Sequence, residues 1–269
     1  MPPGLKARCS MSGNSWKVVV LTARDRKLLA ELTVMRVIDR ELAKAAAPFG
    51  STTRANARLL ALTQAGYLRR SFVGTITGGR KAVYRLSNKG IAVGSAESGR
   101  GPNRPPKSSY SEPFLDHQVR INEVYVSVKH KPIPLADCRF HRWLSFDLPL
   151  SKASPIIPDG YFELQYESAI KPLFLEVDMG TEARRIWQKK IEGYLNLAVA
   201  GDFSKLFGRL QFKVIVLANS ERRVQSIRKV AAKFTDKVFR FASFESINRE
   251  GFWSAVWQKP LGDQKESLL

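Results

Sequence analysis

Two acidic motifs carry the chemistry this chain could do. The first is Pro158-Asp159-Gly160 and the second is Phe174-Leu175-Glu176-Val177-Asp178. Both fall at strand positions. Successive side chains alternate across a strand, so Glu176 and Asp178 point to one face. Carboxylates converging at a sheet edge make a site for a hard cation. Mg²⁺ or Mn²⁺ held by Asp159, Glu176 and Asp178 would activate water against a phosphodiester. Plainer readings stand beside this one: Asp159-Gly160 as a turn, and Glu176 and Asp178 as ion-pair partners of Arg184 or Arg185. His117, His130 and His141 show no helical ligand pair, so no zinc site is expected and His117 reads as structural. Nothing resembles a phosphate-cradling glycine loop, so no nucleotide cofactor is expected.

The charge of the chain says what such a site would meet. The 269 residues carry a formal net charge of +20. An excess of this size calls for a polyanion: DNA, RNA or an anionic membrane surface. No apolar run is long enough to span a bilayer, and Met1 to Asn14 is too polar for a signal peptide, so no membrane partner is expected. Cys9 and Cys138 lack metal or redox spacing and read as free thiols in a reducing cytoplasm.

Residues 95–112, SAESGRGPNRPPKSSYSE, lose all hydrophobic periodicity and read as a linker. It divides the chain into residues 1–94 and 113–259, with 260–269 as a flexible tail. The part before the linker holds 17 Lys and Arg against 4 Asp and Glu. The main phosphate contacts are therefore expected there.

In that first part, Thr22 and Asp25 suggest a capped helix with Leu28, Leu29 and Leu32 inward. A second helix is expected from about Ile38 to Ala46, and a third, capped by Ser51, to about Gln64. The third has an apolar stripe of Ala55, Leu59 and Leu62, and Thr52, Thr53, Arg54, Asn56 and Arg58 on its other face. Arg bonds guanine and Asn bonds adenine bidentately, while Ser51 and the threonines reach phosphates. Gly66 ends that helix. A hairpin follows, turning at Thr77-Gly78-Gly79-Arg80 and carrying Arg69, Arg70, Arg80 and Lys81. Ser87 to Val93 reads as one closing helical turn. Three helices and a basic hairpin make a winged helix-turn-helix, whose third helix enters the major groove of double-stranded DNA while the wing touches backbone.

The second part is expected to run as a helix over 112–129, an extended strand or two over 139–150, strands over 159–166 and 173–178, a helix over 181–200, a strand over 212–217, a helix from 220 to about 234 and a strand over 238–241. That order suits a mixed sheet flanked by helices, an α/β arrangement within an α+β whole.

Pro158-Asp159 followed by Glu176-x-Asp178 resembles the PD-(D/E)xK nuclease signature. More narrowly, Asp159, the run Glu176-Val177-Asp178-Met179-Gly180-Thr181-Glu182 and Lys190-x-x-x-Tyr194 resemble the plasmid replication-relaxation family, which includes mobilisation accessory proteins of the MobC kind. The resemblance spans roughly residues 20–220. It implies a winged helix followed by a restriction-endonuclease-like domain, Asp159 and Glu176 as metal ligands, and Glu123 as a third. The signature has Lys where this chain has Asp178. On the following helix Trp187, Lys190, Ile191, Tyr194 and Ala198 share one side, which lets Lys190 lean toward the carboxylates in its place.

Three functions fit these residues. One is a DNA-binding factor of mobile-element replication or conjugative mobilisation, working with a relaxase, replication or other mobile-element protein. Another is a metal-dependent endonuclease using Asp159, Glu176 and Lys190. The last is a winged-helix repressor, binding DNA as a homodimer, whose second domain only dimerises or senses a ligand.

Overall fold

Thr22 and Asp25 begin the first helix by capping each other. The Asp25 carboxylate accepts the Thr22 N–H at 2.7 Å, and the Thr22 hydroxyl oxygen accepts the Asp25 N–H at 3.3 Å. This reciprocal box satisfies donors that a helix start leaves free. The computed structural model describes residues 19–74, 78–99 and 110–269. Its first unit runs α1 (Ala23–Met35), β1 (Ile38–Asp39), α2 (Arg40–Ala46), α3 (Thr52–Gln64), β2 (Leu68–Gly74), β3 (Arg80–Leu86) and α4 (Asn88–Ser98).

The second helix begins at Arg40, two residues later than expected. Ile38 and Asp39 are extended, paired with Tyr84 and Val83, and the Asp39 side chain then caps α2 through the Leu42 N–H at 2.9 Å. β1, β3 and β2 lie in that order in one antiparallel sheet. Instead of one closing turn, α4 is an eleven-residue helix capped by Ser87. It packs so closely on α1 that a Cβ at Gly94 would fall 2.4 Å from the Leu29 carbonyl oxygen.

Helices occupy both ends of the stretch 95–112 expected as a linker. α4 reaches Ser98, and Ser111 caps α5 (Glu112–Lys129). Residues 100–109, Thr77 of the hairpin turn, the stretch 1–14 and Cys9 lie outside the described residues.

The second unit continues β4 (Cys138–Leu144), β5 (Gly160–Tyr166), β6 (Ala169–Asp178), α6 (Arg184–Val199), α7 (Asp202–Phe207), β7 (Lys213–Ala218), α8 (Glu221–Ala231), β8 (Phe239–Ser243), α9 (Phe244–Glu250), β9 (Trp257–Gln258) and β10 (Lys265–Glu266). Its seven strands form one mixed sheet in the order β10-β9-β8-β7-β6-β5-β4. β6, β7 and β8 are mutually parallel, joined through α6 with α7 and then α8. The remaining neighbours are antiparallel.

Strand alternation sorts the core into two layers. Leu173, Leu175 and Val177 of β6 join Phe162, Leu164, Ile215 and Leu217 against α5. Phe174 joins Tyr161, Val214, Val216, Phe239 and Phe241 against α6 and α8. The first layer runs on into Leu28, Leu32, Leu59 and Leu62 of the first unit, so the two units meet through α5 as packed interior.

The last ten residues are held rather than frayed. β10 pairs with β9, Arg240 pairs with Glu266, and the Arg228 guanidinium bonds the carbonyls of Lys259 and Gly262. No helix among the described residues is long and apolar enough to cross a membrane.

Candidate functional site

Gly160 of β5 pairs with Leu175 of β6, so Asp159 and Glu176 stand across the end of that ladder. Glu176 points into the layer under α6, where it is almost wholly buried. α6 supplies both of its partners from one side. Tyr194 donates its hydroxyl to Oε1 at 2.5 Å, and Lys190 Nζ donates to Oε2 at 2.9 Å. The same ammonium lies 2.6 Å from Glu182 Oε1. Burial pushes the Glu176 carboxyl up to about 7, against the pull of Lys190, and the Asp159 charge adds to the rise. Burial works against the Lys190 ammonium, yet Glu176, Glu182 and Asp159 together hold its pKa above the ordinary lysine value.

Asp159 joins the two faces of the sheet. Its Oδ2 accepts the Val177 N–H at 2.8 Å and lies 3.3 Å from His117 Nε2, which comes from α5 on the opposite side. His117 also faces the Val177 carbonyl at 3.1 Å. Burial disfavours the imidazolium, but Asp159 and that carbonyl outweigh it and raise the His117 pKa. The close fit needs Gly160, because a Cβ there would lie 2.6 Å from the Trp143 ring.

Lys190, expected to lean toward the carboxylates from helical spacing alone, does reach Glu176. The other two expected ligands do not join. Asp178 shares the Glu176 face, but it is fully buried and its oxygens are taken. Arg223 pairs with both at 2.8 Å, while the Trp187 indole and the Gly180 N–H each donate at 2.6 Å. Burial raises the Asp178 carboxyl, and these donors more than reverse it, leaving the pKa lowered. Its partner is therefore Arg223 rather than Arg184 or Arg185. Glu123 lies six residues beyond His117, turned well away around the helix. It pairs with Arg120 at 3.1 Å, beside Asp39 of the first unit. His117 is the α5 residue that meets Asp159.

As arranged, these groups do not fit a hard cation. Lys190 and Tyr194 cap the Glu176 oxygens, and Asp178 is closed by its donors. No cluster of three or more His, Cys, Asp or Glu among the described residues could hold a metal ion. The arrangement is a buried, charge-compensated acid–lysine pair linked to a half-exposed carboxylate–imidazole pair.

The second candidate surface lies on the first unit. α3 buries Ala55, Leu59 and Leu62 and exposes Ser51, Thr53, Arg54 and Asn56. Thr52 is half-buried and accepts a hydrogen bond from Lys44 at 3.0 Å. Arg69 and Arg70 are exposed on β2, with the Arg70 guanidinium 5.2 Å from the Phe72 ring. Arg80 is exposed but tied to Glu112 and the Phe72 carbonyl, and Lys81 lies 3.6 Å from Asp39.

Arg58 leaves the presented set. Its guanidinium bonds both oxygens of the buried Asp25, at 2.9 and 2.5 Å, and the Val20 carbonyl at 2.7 Å. Burial raises the Asp25 carboxyl, but Arg58 and Thr22 overcome this and lower its pKa. Arg58 therefore locks α3 to α1.

A family model described as replication-relaxation matches residues 27–210, from within α1 to the stretch between α7 and β7. No curated protein and no solved structure matches the chain.

Proposed function

From the premise that the chain belongs to the replication-relaxation family, we propose that it is a DNA-binding protein of mobile-element replication or conjugative mobilisation. It finds a double-stranded site through its first unit and positions a nuclease-like domain there. The observation that carries this reading is the exposed face of α3. Thr53, Arg54 and Asn56 stand exposed in its first turns, and the hairpin that follows exposes Arg69, Arg70 and Arg80. The order helix, short strand, helix, helix, hairpin is that of a winged helix-turn-helix. Its third helix reads base edges while the hairpin touches phosphates.

The order helix, three strands, two helices and strand in the second unit is compatible with a PD-(D/E)xK-like domain. The placement of Lys190 favours a binding or assembly role over cleavage. An ammonium already neutralises Glu176, and Asp178 stands where the signature has lysine. Its partners are DNA and a relaxase or replication protein of the same element, in the cytoplasm.

The test is to incubate wild type and Asp159→Ala with supercoiled, linear and branched DNA in Mg²⁺ and in Mn²⁺, measuring binding and nicking together. Salt-sensitive binding without nicking by either protein supports the proposal. Metal-dependent nicking that Asp159→Ala abolishes would make the protein an endonuclease instead. Weak, salt-insensitive binding would remove the DNA reading altogether.

A further inference from the structure

α1 ends on a strained residue. Arg36 has φ 62° and ψ −43°, and the Val37 N–H closes a three-residue turn onto the Met35 carbonyl at 2.6 Å. This positive-φ γ-turn is rare and unfavourable for a residue with a Cβ. The surroundings enforce it. The buried amide of Asn122 on α5 donates to the carbonyls on both sides of Arg36, to Met35 at 2.8 Å and to Val37 at 2.5 Å. Gln118 in turn holds the Asn122 oxygen at 3.2 Å. Glycine would take this turn without strain, yet arginine stands there. Strained backbone that its neighbours hold in place marks positions with a task.

The guanidinium shows what the task is. Arg36 lines a cavity of about 190 Å³ between the two units, whose other walls include Phe114, His117, Phe146, Ile157 and Asp159. The first unit thus contributes Arg36 to the cavity that the carboxylate–imidazole pair also lines. Asp159 already has the Val177 N–H and His117 as partners. The Arg36 partner, Asp147 at 2.7 Å, is itself 61% exposed. Such a surface pair contributes little and is easily exchanged, whereas an arginine fork grips a phosphate through two parallel hydrogen bonds. The cavity has room for a phosphodiester group and is smaller than the usual pocket for a whole drug-sized ligand.

We propose that this cavity is a phosphate subsite, in which Arg36 releases Asp147 and holds a DNA phosphodiester beside His117 and Asp159. The proposal rests on the DNA-binding reading above. It adds that the first unit, through the clamped turn at Arg36, supplies part of the second unit's site.

The experiment measures binding of a labelled duplex by the full chain across a salt series, for wild type, Arg36→Gly, Arg36→Lys and Asp147→Asn. Arg36→Gly removes the charge and relieves the turn, so it should melt no lower than wild type. Its affinity should fall several-fold at low salt, and its salt slope should drop by about one unit, the loss of one phosphate contact. Asp147→Asn should bind several-fold tighter, and Arg36→Lys should keep the slope but lose part of the affinity. Unchanged affinity and slope in Arg36→Gly, with wild type binding normally, would overturn this subsite alone. Absence of wild-type binding would overturn the DNA reading and this inference with it. A second readout separates the phosphate sources. The His117 imidazole resonances should shift with a dinucleoside phosphodiester and not with inorganic phosphate at equal ionic strength. A shift with inorganic phosphate alone would also overturn the proposal.

Discussion

Lys190 Nζ sits 2.9 Å from Glu176 Oε2, joining the middle of α6 to the end of β6 beneath it. Glu176 is almost wholly buried, so the ammonium is what allows a charged carboxylate there. Removing one partner of such a pair leaves the other buried and uncompensated.

Lys190→Met should therefore destabilise the fold by about 3 kcal/mol near neutral pH. The sign of its pH dependence follows from the carboxyl, which burial already pushes up to about 7. Without the ammonium that value rises further. The folded state then retains a proton that the unfolded chain releases above about pH 4.3, so stability falls as pH rises. Urea denaturation at pH 5 and pH 8 should show the variant closer to wild type at the lower value. An equal loss at both would mean that Lys190 contributes packing rather than charge.

Two arginines four residues apart on α3 should behave as different kinds of residue. Arg54 is exposed, and Arg54→Ala, like Asn56→Ala, should leave the melting temperature within a degree or two while reducing discrimination between DNA sequences. Arg58→Ala strands the fully buried Asp25 carboxylate and should cost about 3 kcal/mol. Competition binding against scrambled sites, beside thermal melts, checks both. Intact specificity in Arg54→Ala and Asn56→Ala would mean that α3 is not the reading helix.

What the sequence makes readable is what neighbours along the chain determine. The Thr22–Asp25 box and the Ser51 cap each link residues three positions apart, and each marks a helix start correctly. The reach of Lys190 toward the carboxylates also follows from local periodicity, because α6 lies over β6 and Lys190 shares a side with Trp187 and Tyr194. The unreadable parts depend on distant partners. β1 is two residues long and exists through Tyr84 and Val83. Arg58 is a structural clamp because Asp25 lies 33 residues away. His117 enters the site through the way α5 docks on the sheet, and nothing near it in sequence announces that. The final residues look like a tail until Arg240 meets Glu266.

Gly160→Ala tests how tightly the site is fitted. The added methyl would lie 2.6 Å from the Trp143 ring, which cannot readily yield because it stacks on Phe162 and meets Tyr125 edge-on. Overpacking of this kind costs about 1–3 kcal/mol. It should also shift the adjoining Asp159 away from His117, so the raised imidazole pKa should move back toward its ordinary value. NMR titration of His117 reads this directly. A destabilised variant with an unmoved His117 would show that Asp159 is positioned independently of Gly160.

The joint between the two units should have its own acid limit, set by Glu31. This α1 carboxylate accepts the Tyr125 hydroxyl at 2.6 Å and Lys129 Nζ at 2.8 and 3.0 Å, with His130 Nε2 at 3.3 Å, all from the end of α5 or just beyond it. Burial alone would raise its pKa, but hydrogen bonds from His130, Lys129 and Tyr125 bring it down to about 2. A depressed carboxyl contributes stability that is complete above the unfolded value, about 4.3, and lost as pH falls through the folded one. The window is therefore about pH 4.3 down to 2, and the contribution is roughly 3 kcal/mol. Other carboxylates titrate there too, so the informative quantity is the difference between wild type and Glu31→Gln. That difference should be largest at pH 5 and above and shrink toward zero at pH 2 in guanidinium denaturation. A difference that stays constant across the range would mean that the α1–α5 contact is held by its apolar packing and that the Glu31 charge adds nothing to it.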